Sequence, residues 1–161
     1  MGSRIVLQHL HTRPAGDGRD LVTTATTTES VADAMVTTMK TLEFDATVND
    51  VREFFLDDHV HMALVVRHGK VVTAIERADL SRTRDMRRWA RDLGTLVGRS
   101  VRPSDDLASV HRAMVESSRR RLVVVDATRE LLGLLCLKRH GRSFCRDEDV
   151  LARQLDVLGC D

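Results

Sequence analysis

The chain has 161 residues, 42% of them apolar, and its 25 basic and 24 acidic side chains leave a formal net charge of +1. That length suits one compact domain or two small halves sharing a core, and so small a net charge gives no field drawing the whole chain to nucleic acid or membrane. Aromatic residues make up only 3% and Tyr is absent, so the core must be aliphatic. No apolar run approaches the roughly 18–20 residues of a membrane span, and the N-terminus carries no apolar signal core. The expectation is a soluble, cytoplasmic protein. Cys136, Cys145 and Cys160 are odd in number and lack C-x-x-C spacing. They read as free thiols in a reducing compartment, not as a disulfide framework or a zinc site.

Residues 1–30 contain Pro14 and the run "TTATTTES" without a sustained apolar period, and read as a flexible tail. Order is predicted to begin at Ser30, an N-cap for the short helix "VADAM". From there the chain states one plan twice. Val48, Val51 and Phe55 share a helix face, and Leu107, Val110 and Met114 repeat it 59 residues later. An apolar strand follows each helix, "MALVV" (62–66) and then "LVVV" (122–125). Polar turns, "RHGK" and "DATRE", lead into closing strands, "VVTAI" and "LLGLLCL". Two β-α-β-β units make an internal duplication. Neither can bury both faces of its sheet alone, so the two are expected to pack sheet against sheet about a pseudo-twofold axis. Between them "SRTRDMRRWARDL" reads as an amphipathic linker helix over 85–96 with a solvated arginine face. "DEDVLARQLDVL" reads as a C-terminal helix over 147–161.

These residues resemble a tandem pair of cystathionine-β-synthase (CBS) domains, a Bateman module, with repeats over 31–84 and 97–146. "VADAM" is similar to the family's V-x-D-x-M opening, "ELLGLL" to its L-v-G-i-i strand, and "MALVV" to l-P-V-V-D with Ala63 in place of the proline. The resemblance implies an α+β fold of two CBS repeats, and dimerisation into a flat disc. It also implies a regulatory module without catalytic activity that binds an adenosyl ligand such as AMP, ADP, ATP or S-adenosylmethionine and relays it to an effector protein. Each family repeat ends in G-h-h-T/S-x-x-D, whose Asp holds a ribose. Here the first copy keeps Asp79 but has Glu76 at the Thr/Ser position; the second keeps Gly133 but has Cys136 and Arg139 at the last two positions.

A carboxylate can accept bonds from both hydroxyls of a ribose, whereas arginine has no acceptor. The first cleft is therefore the expected site, with Asp79 as sugar anchor. Glu76 beside it would disfavour a triphosphate and tolerate a neutral or cationic adenosyl group. His61, Arg120 and Arg121 are basic residues facing the cleft, Thr41 and Ser100 are adenine-side candidates, and Arg139 would read only a phosphate or carboxylate. Asp79 also reads as a simple helix cap, and Glu76 as a surface charge. Two other classes stand beside the sensor: a degenerate pair kept as a dimerisation scaffold, and a nucleic-acid regulator using the arginines of 82–91 and 119–121. The alternation of those arginines with Asp85 and Asp92 makes nucleic acid the less favoured partner. No nucleophile–base set, phosphate loop or metal-ligand cluster can be assembled, and His59 and His61 lack further ligands.

Overall fold

The two units of the repeat fold as two small sheets, each crossed by one helix. The computed structural model of the chain describes residues 4–10 and 29–149. In the first unit β2 (Thr38–Glu43) leads through α2 (Val48–Phe54) to β3 (Met62–Arg67) and β4 (Lys70–Glu76). In the second, β5 (Ser100–Val101) leads through α3 (Leu107–Glu116) to β6 (Arg121–Val125) and β7 (Leu131–Cys136). β2 and β3, like β5 and β6, are parallel neighbours joined by a helical crossover, while each unit's last two strands form an antiparallel hairpin.

The helices start where side chains satisfy the exposed first-turn N–H groups. Thr47 caps α2 in a reciprocal box with Asp50, whose carboxylate accepts from Thr47 N at 2.7 Å. Asp106 caps α3 by accepting from Ser109 N at 3.0 Å. The first hairpin turns through His68 and Gly69, with φ of +51° and +78°, the left-handed pair that a tight two-residue hairpin requires.

The sheets face one another. Met39, Met62, Leu64, Val71 and Ala74 of the first interdigitate with Val123, Val125 and Leu131 of the second, giving the aliphatic inter-sheet core that the composition demands. The hairpin tips are laced together: Val71 N donates to Arg129 O and Leu131 N to Gly69 O, both at 2.9 Å.

The units also exchange their leading turns. α1 (Val31–Ala34) opens the first unit in sequence, yet Val31 is buried with Leu107, Met114, Leu122, Val124 and Leu135 of the second. Val36 pairs with Leu134. Reciprocally, Ala90 and Leu93 are buried with Leu42, Val48, Val51 and Ile75 of the first unit, and Thr95 N donates to Ala74 O at 3.0 Å. The bridges Ser30–Asp106 and Thr47–Trp89 are repeat mates of each other.

This exchange corrects the expected linker helix over 85–96. The segment is the second copy of α1, here only a 3-10 turn at Ala90–Asp92. Its backbone also serves the start of α2. Arg88 O accepts from Val48 N at 2.9 Å, Met86 O from Asn49 N at 3.0 Å, and Ala46 O accepts from Ala90 N at 2.9 Å. The first two bonds satisfy N–H groups that a helix start otherwise leaves bare.

Two further expectations are corrected. The segment read as tail contains a strand, β1 (Ile5–His9), which extends the first sheet antiparallel to β2 with Val6 opposite Thr41. Ile5, Val6 and Leu7 supply the apolar run for it; residues 11–28 lie outside the described part. Cys136 and Cys145, expected as free thiols, form a disulfide with Cα atoms 5.3 Å apart. Nine residues of separation and no C-x-x-C signature hid the pair, which the turn after β7 folds together. Of the predicted C-terminal helix, residues 150–161 lie outside the described part.

Candidate functional site

A cleft of about 360 Å³ opens where the units meet. Its first-unit wall is His61, just before β3, with Glu76, Arg77 and Ala78 where β4 ends. The opposite wall is Ser117, Ser118, Arg119 and Arg120, the turn between α3 and β6. β4 ends there because the apolar alternation stops at Ile75, and Arg77–Arg82 then coils into a 3-10 turn. α3 ends at Glu116 and the chain reverses through Ser118 at φ +56°, so Arg119 and Arg120 enter the cleft edge.

The charge in the cleft is lopsided. Glu76 is its one carboxylate, accepting from Arg119 Nη1 at 2.9 Å and facing Arg99 Nη2 at 3.4 Å. Arg77 donates to the carbonyls of Asp57 and Val60 at 2.9 and 3.0 Å. Arg120 Nη2 donates to Leu137 O at 3.4 Å, and its buried Nε has no hydrogen-bond partner. Carbonyls satisfy donors but carry no net charge. His61 Nε2 lies 3.4 Å from Arg120 Nη1. Burial, then the charges of Arg121, Arg120, Arg77 and His59, push the His61 imidazole down to about 4. It is neutral at pH 7 and can accept from Arg120. Arg121 is buried and outside the cleft lining, with Nη1 donating to Arg120 O at 3.0 Å.

Asp79 does not line the cleft. It is 1% exposed, and its carboxylate is gripped by Arg99, Nη1 to Oδ2 at 2.6 Å and Nη2 to Oδ1 at 3.2 Å. Glu76 N donates to the same Oδ2 at 2.9 Å. Burial alone would push this carboxyl up, but the Arg99 and Glu76 N–H bonds and the charges of Arg99 and Arg82 hold it below the ordinary aspartate range. Arg99 also donates to Ala74 O at 2.8 Å, so the pair ties the segment leading into β5 to the end of β4. As a cap, Asp79 serves a 3-10 turn, not the helix expected after it.

The remaining expected residues are dispersed. Thr41 is buried under β1, donating to Val6 O at 3.5 Å and accepting from Gln8 at 3.4 Å. Ala63 is fully buried in the first unit's core. Ser100 donates to Leu96 O at 3.2 Å. Arg139 is exposed beyond β7 and away from the cleft lining. Cys136, at the family's Thr/Ser position, is bonded to Cys145. The structure thus brings His61, Glu76 and Arg120 together and adds Arg77, Arg119 and the two serines. The signal for Arg119 lay in the run "SSRRR". Arg99 had a weaker one, since its repeat mate Lys40 is also basic.

Among the described residues no cluster of His, Cys, Asp or Glu could hold a metal ion, and no helix is long and apolar enough to cross a membrane. The arginines proposed for nucleic acid are partly engaged within the chain. Arg91 stacks on Phe44 and Trp89, with its guanidinium 4.3 and 4.5 Å from the ring centroids, and Arg82 faces Asp79 at 3.9 Å.

No protein-family model matches the chain, and no curated protein does. Solved structures do match. A putative acetoin utilization protein (AcuB) from Vibrio cholerae aligns with a TM-score of 0.58 at 18% identity, covering 80% of this chain and 92% of that one. CBSX2 in complex with AMP aligns at 0.56 and 24% identity, covering 80% and 98%. The cytosolic domain of the Mg2+ channel MgtE in complex with ATP aligns at 0.52 and 21% identity, covering 78% of this chain and 48% of that one.

Proposed function

We propose that this chain, which has the fold of a tandem CBS pair, is a regulatory module whose inter-repeat cleft binds an anionic adenine nucleotide and signals its occupancy to a separate partner protein. One observation carries the reading: Arg77, Arg119 and Arg120 converge with a neutral His61 on a cleft holding a single carboxylate. Phosphate oxygens supply the missing negative charge and accept from several guanidinium donors at once. Glu76, not Asp79, is the acidic side chain placed to accept a sugar hydroxyl. The AMP and ATP complexes of the similar folds support an adenine nucleotide as the class of anion.

The balance of charge reverses the expectation drawn from Glu76 and Asp79 together. Arg99 and Arg119 neutralise both carboxylates, so a polyphosphate is favoured and the sulfonium of S-adenosylmethionine meets like charge. Thermal-shift and calorimetric titration with ATP, ADP, AMP, adenosine and S-adenosylmethionine tests this. Affinity should rise with phosphate number, and a ligand at 100 times its Kd adds about 2.7 kcal/mol. Arg120→Ala should weaken ATP binding roughly 10- to 100-fold, the worth of one charge-assisted bond. Binding that ignores phosphate number would overturn the reading.

The sealing of Asp79 by Arg99 and the bonding of Cys136 favour a second reading, a pair retained as a dimerisation scaffold. A flat ligand panel from a chain that sediments as a dimer would select it.

A further inference from the structure

The disulfide lies outside the cleft and joins the end of β7 to the turn that follows it. After β7 the chain turns back on itself. Leu137 bridges Phe144, Lys138 N donates to Ser143 O at 2.8 Å, and Cys145 N donates to Cys136 O at 2.6 Å. Beyond the turn, Asp147 accepts from Thr37 N at 2.7 Å, Thr37 Oγ1 at 3.0 Å and Thr38 N at 2.9 Å. The segment is thereby clamped to the start of β2 in the other unit. His111 Nε2 lies 2.6 Å from Gly141 O, and the His111 ring packs edge-on to Phe144 with centroids 5.7 Å apart. Arg139, Arg142, Ser143 and Arg146 are exposed. Apart from Phe144 and Cys145 the segment buries little apolar surface, so it is held by these polar contacts, by Lys138 Nζ facing Asp149 Oδ2 at 3.5 Å, and by one covalent bond.

We infer that the Cys136–Cys145 bond is a thiol–disulfide exchange site, a reversible latch whose reduction frees residues 138–149 from the second unit and unclamps Asp147 from β2. A dithiol is the fitting reductant. Its thiolate attacks one of the two sulfurs, and the Cys136–Cys145 bond breaks as a mixed disulfide forms. The reductant's second thiol then attacks that bond and leaves as a cyclic disulfide. Two electrons and two protons pass to the protein, which keeps two thiols. Both sulfurs sit on residues no more than 3% exposed, so attack proceeds through local opening of the turn, the low-stability end of the structure.

The latch also reaches the cleft. Leu137 N donates to Arg120 O at 2.9 Å and Arg120 Nη2 to Leu137 O, so the residue after Cys136 fixes the backbone and guanidinium of a cleft arginine. This part rests on the nucleotide reading above; the latch itself does not.

The test uses the full chain carrying Cys160→Ser, oxidised with glutathione disulfide or reduced with dithiothreitol. Alkylation under denaturing conditions followed by mass spectrometry should leave Cys136 and Cys145 unlabelled in the oxidised sample and label both in the reduced one. Trypsin should cut after Arg139, Arg142 and Arg146 on the order of tenfold faster in the reduced sample, because local opening no longer works against a closed loop. Cys145→Ser should cut at the fast rate under both conditions, and the oxidised–reduced comparison stands without that variant. Labelling of both cysteines after oxidation, or equal cleavage rates in the two states, overturns the latch. ATP should bind severalfold more weakly to the reduced chain; equal affinity alongside faster cleavage overturns the link to Arg120.

Discussion

Asp79→Ala strands the Arg99 guanidinium in the core and so tests whether this carboxylate is structural. The two side chains are 2% and 8% exposed, with Nη1 and Oδ2 at 2.6 Å. Removing one partner of a buried pair typically costs about 3–5 kcal/mol, because the other charge is left uncompensated. Arg99 would keep Ala74 O at 2.8 Å and Glu76 at 3.4 Å, which places the expected loss near the lower bound, about 3 kcal/mol. For a chain of this size each kcal/mol moves Tm by about 2–4 °C, so Tm should fall by roughly 6–12 °C. Circular-dichroism melts and urea titrations at pH 7.5 measure it. The double replacement Asp79→Leu with Arg99→Met should recover most of the loss, since an apolar pair of similar volume avoids desolvation altogether. The pH dependence has a fixed sign. The Asp79 carboxyl is depressed in the folded state, so its contribution is complete above the unfolded value of about 3.9. It is lost as pH falls through the folded value. The gap between parent and Asp79→Asn should therefore be constant from pH 5 to 8 and close only at lower pH. A Tm for Asp79→Ala within about 1 °C of the parent, with ATP binding abolished, would refute the argument and restore Asp79 as a ligand anchor.

His61 titrates at about 4 in the folded chain and near 6.5 unfolded. The unfolded state binds the extra proton between those values, so parent stability should fall as pH drops from 7 towards 4. His61→Gln should lose that slope in urea titrations at pH 7.5 and 5.0. Saturating ATP should raise the His61 value, read from imidazole proton shifts. A Cβ added at Gly133 would sit 2.7 Å from Met35 Sδ and 2.8 Å from Val36 O. Gly133→Ala should therefore cost about 1–3 kcal/mol by overpacking, measured as a fall in urea midpoint; an unchanged midpoint would show that α1 yields freely.

The hydrophobic period made the fold legible in outline. "MALVV" and "LVVV" became the central strands, and the faces of α2 and α3 were set by Val48, Val51, Leu107 and Met114. What the pattern concealed was the exchange. Ala90 and Leu93 mimic an amphipathic helix at their spacing, but Ala90 N donates to Ala46 O and the nearby Arg88 O accepts from Val48 N, partners distant in sequence and invisible to any local period. β1 was missed because five residues followed by an unpatterned stretch carry little signal. At the site, Ser117, Ser118, Arg119 and Arg120 of the run "SSRRR" line the cleft. The burial of Asp79 was not legible because motif position says where a carboxylate begins, not which cation reaches it; Arg99, 20 residues later, decides that. The disulfide escaped because spacing rules describe metal and redox motifs, whereas Cys136 and Cys145 meet through a turn built by Lys138, Gly141 and Ser143.

The exchanged leading turns bear on ancestry. A single unit of this kind has an open seam where Ala90 and Leu93, or Val31, now lie, and bare amides at the head of its crossover helix. It can close only by trading arms with a second copy. A fusion of two such copies keeps the exchange within one chain, and severing it between residues 84 and 86 should give halves that fold only when mixed.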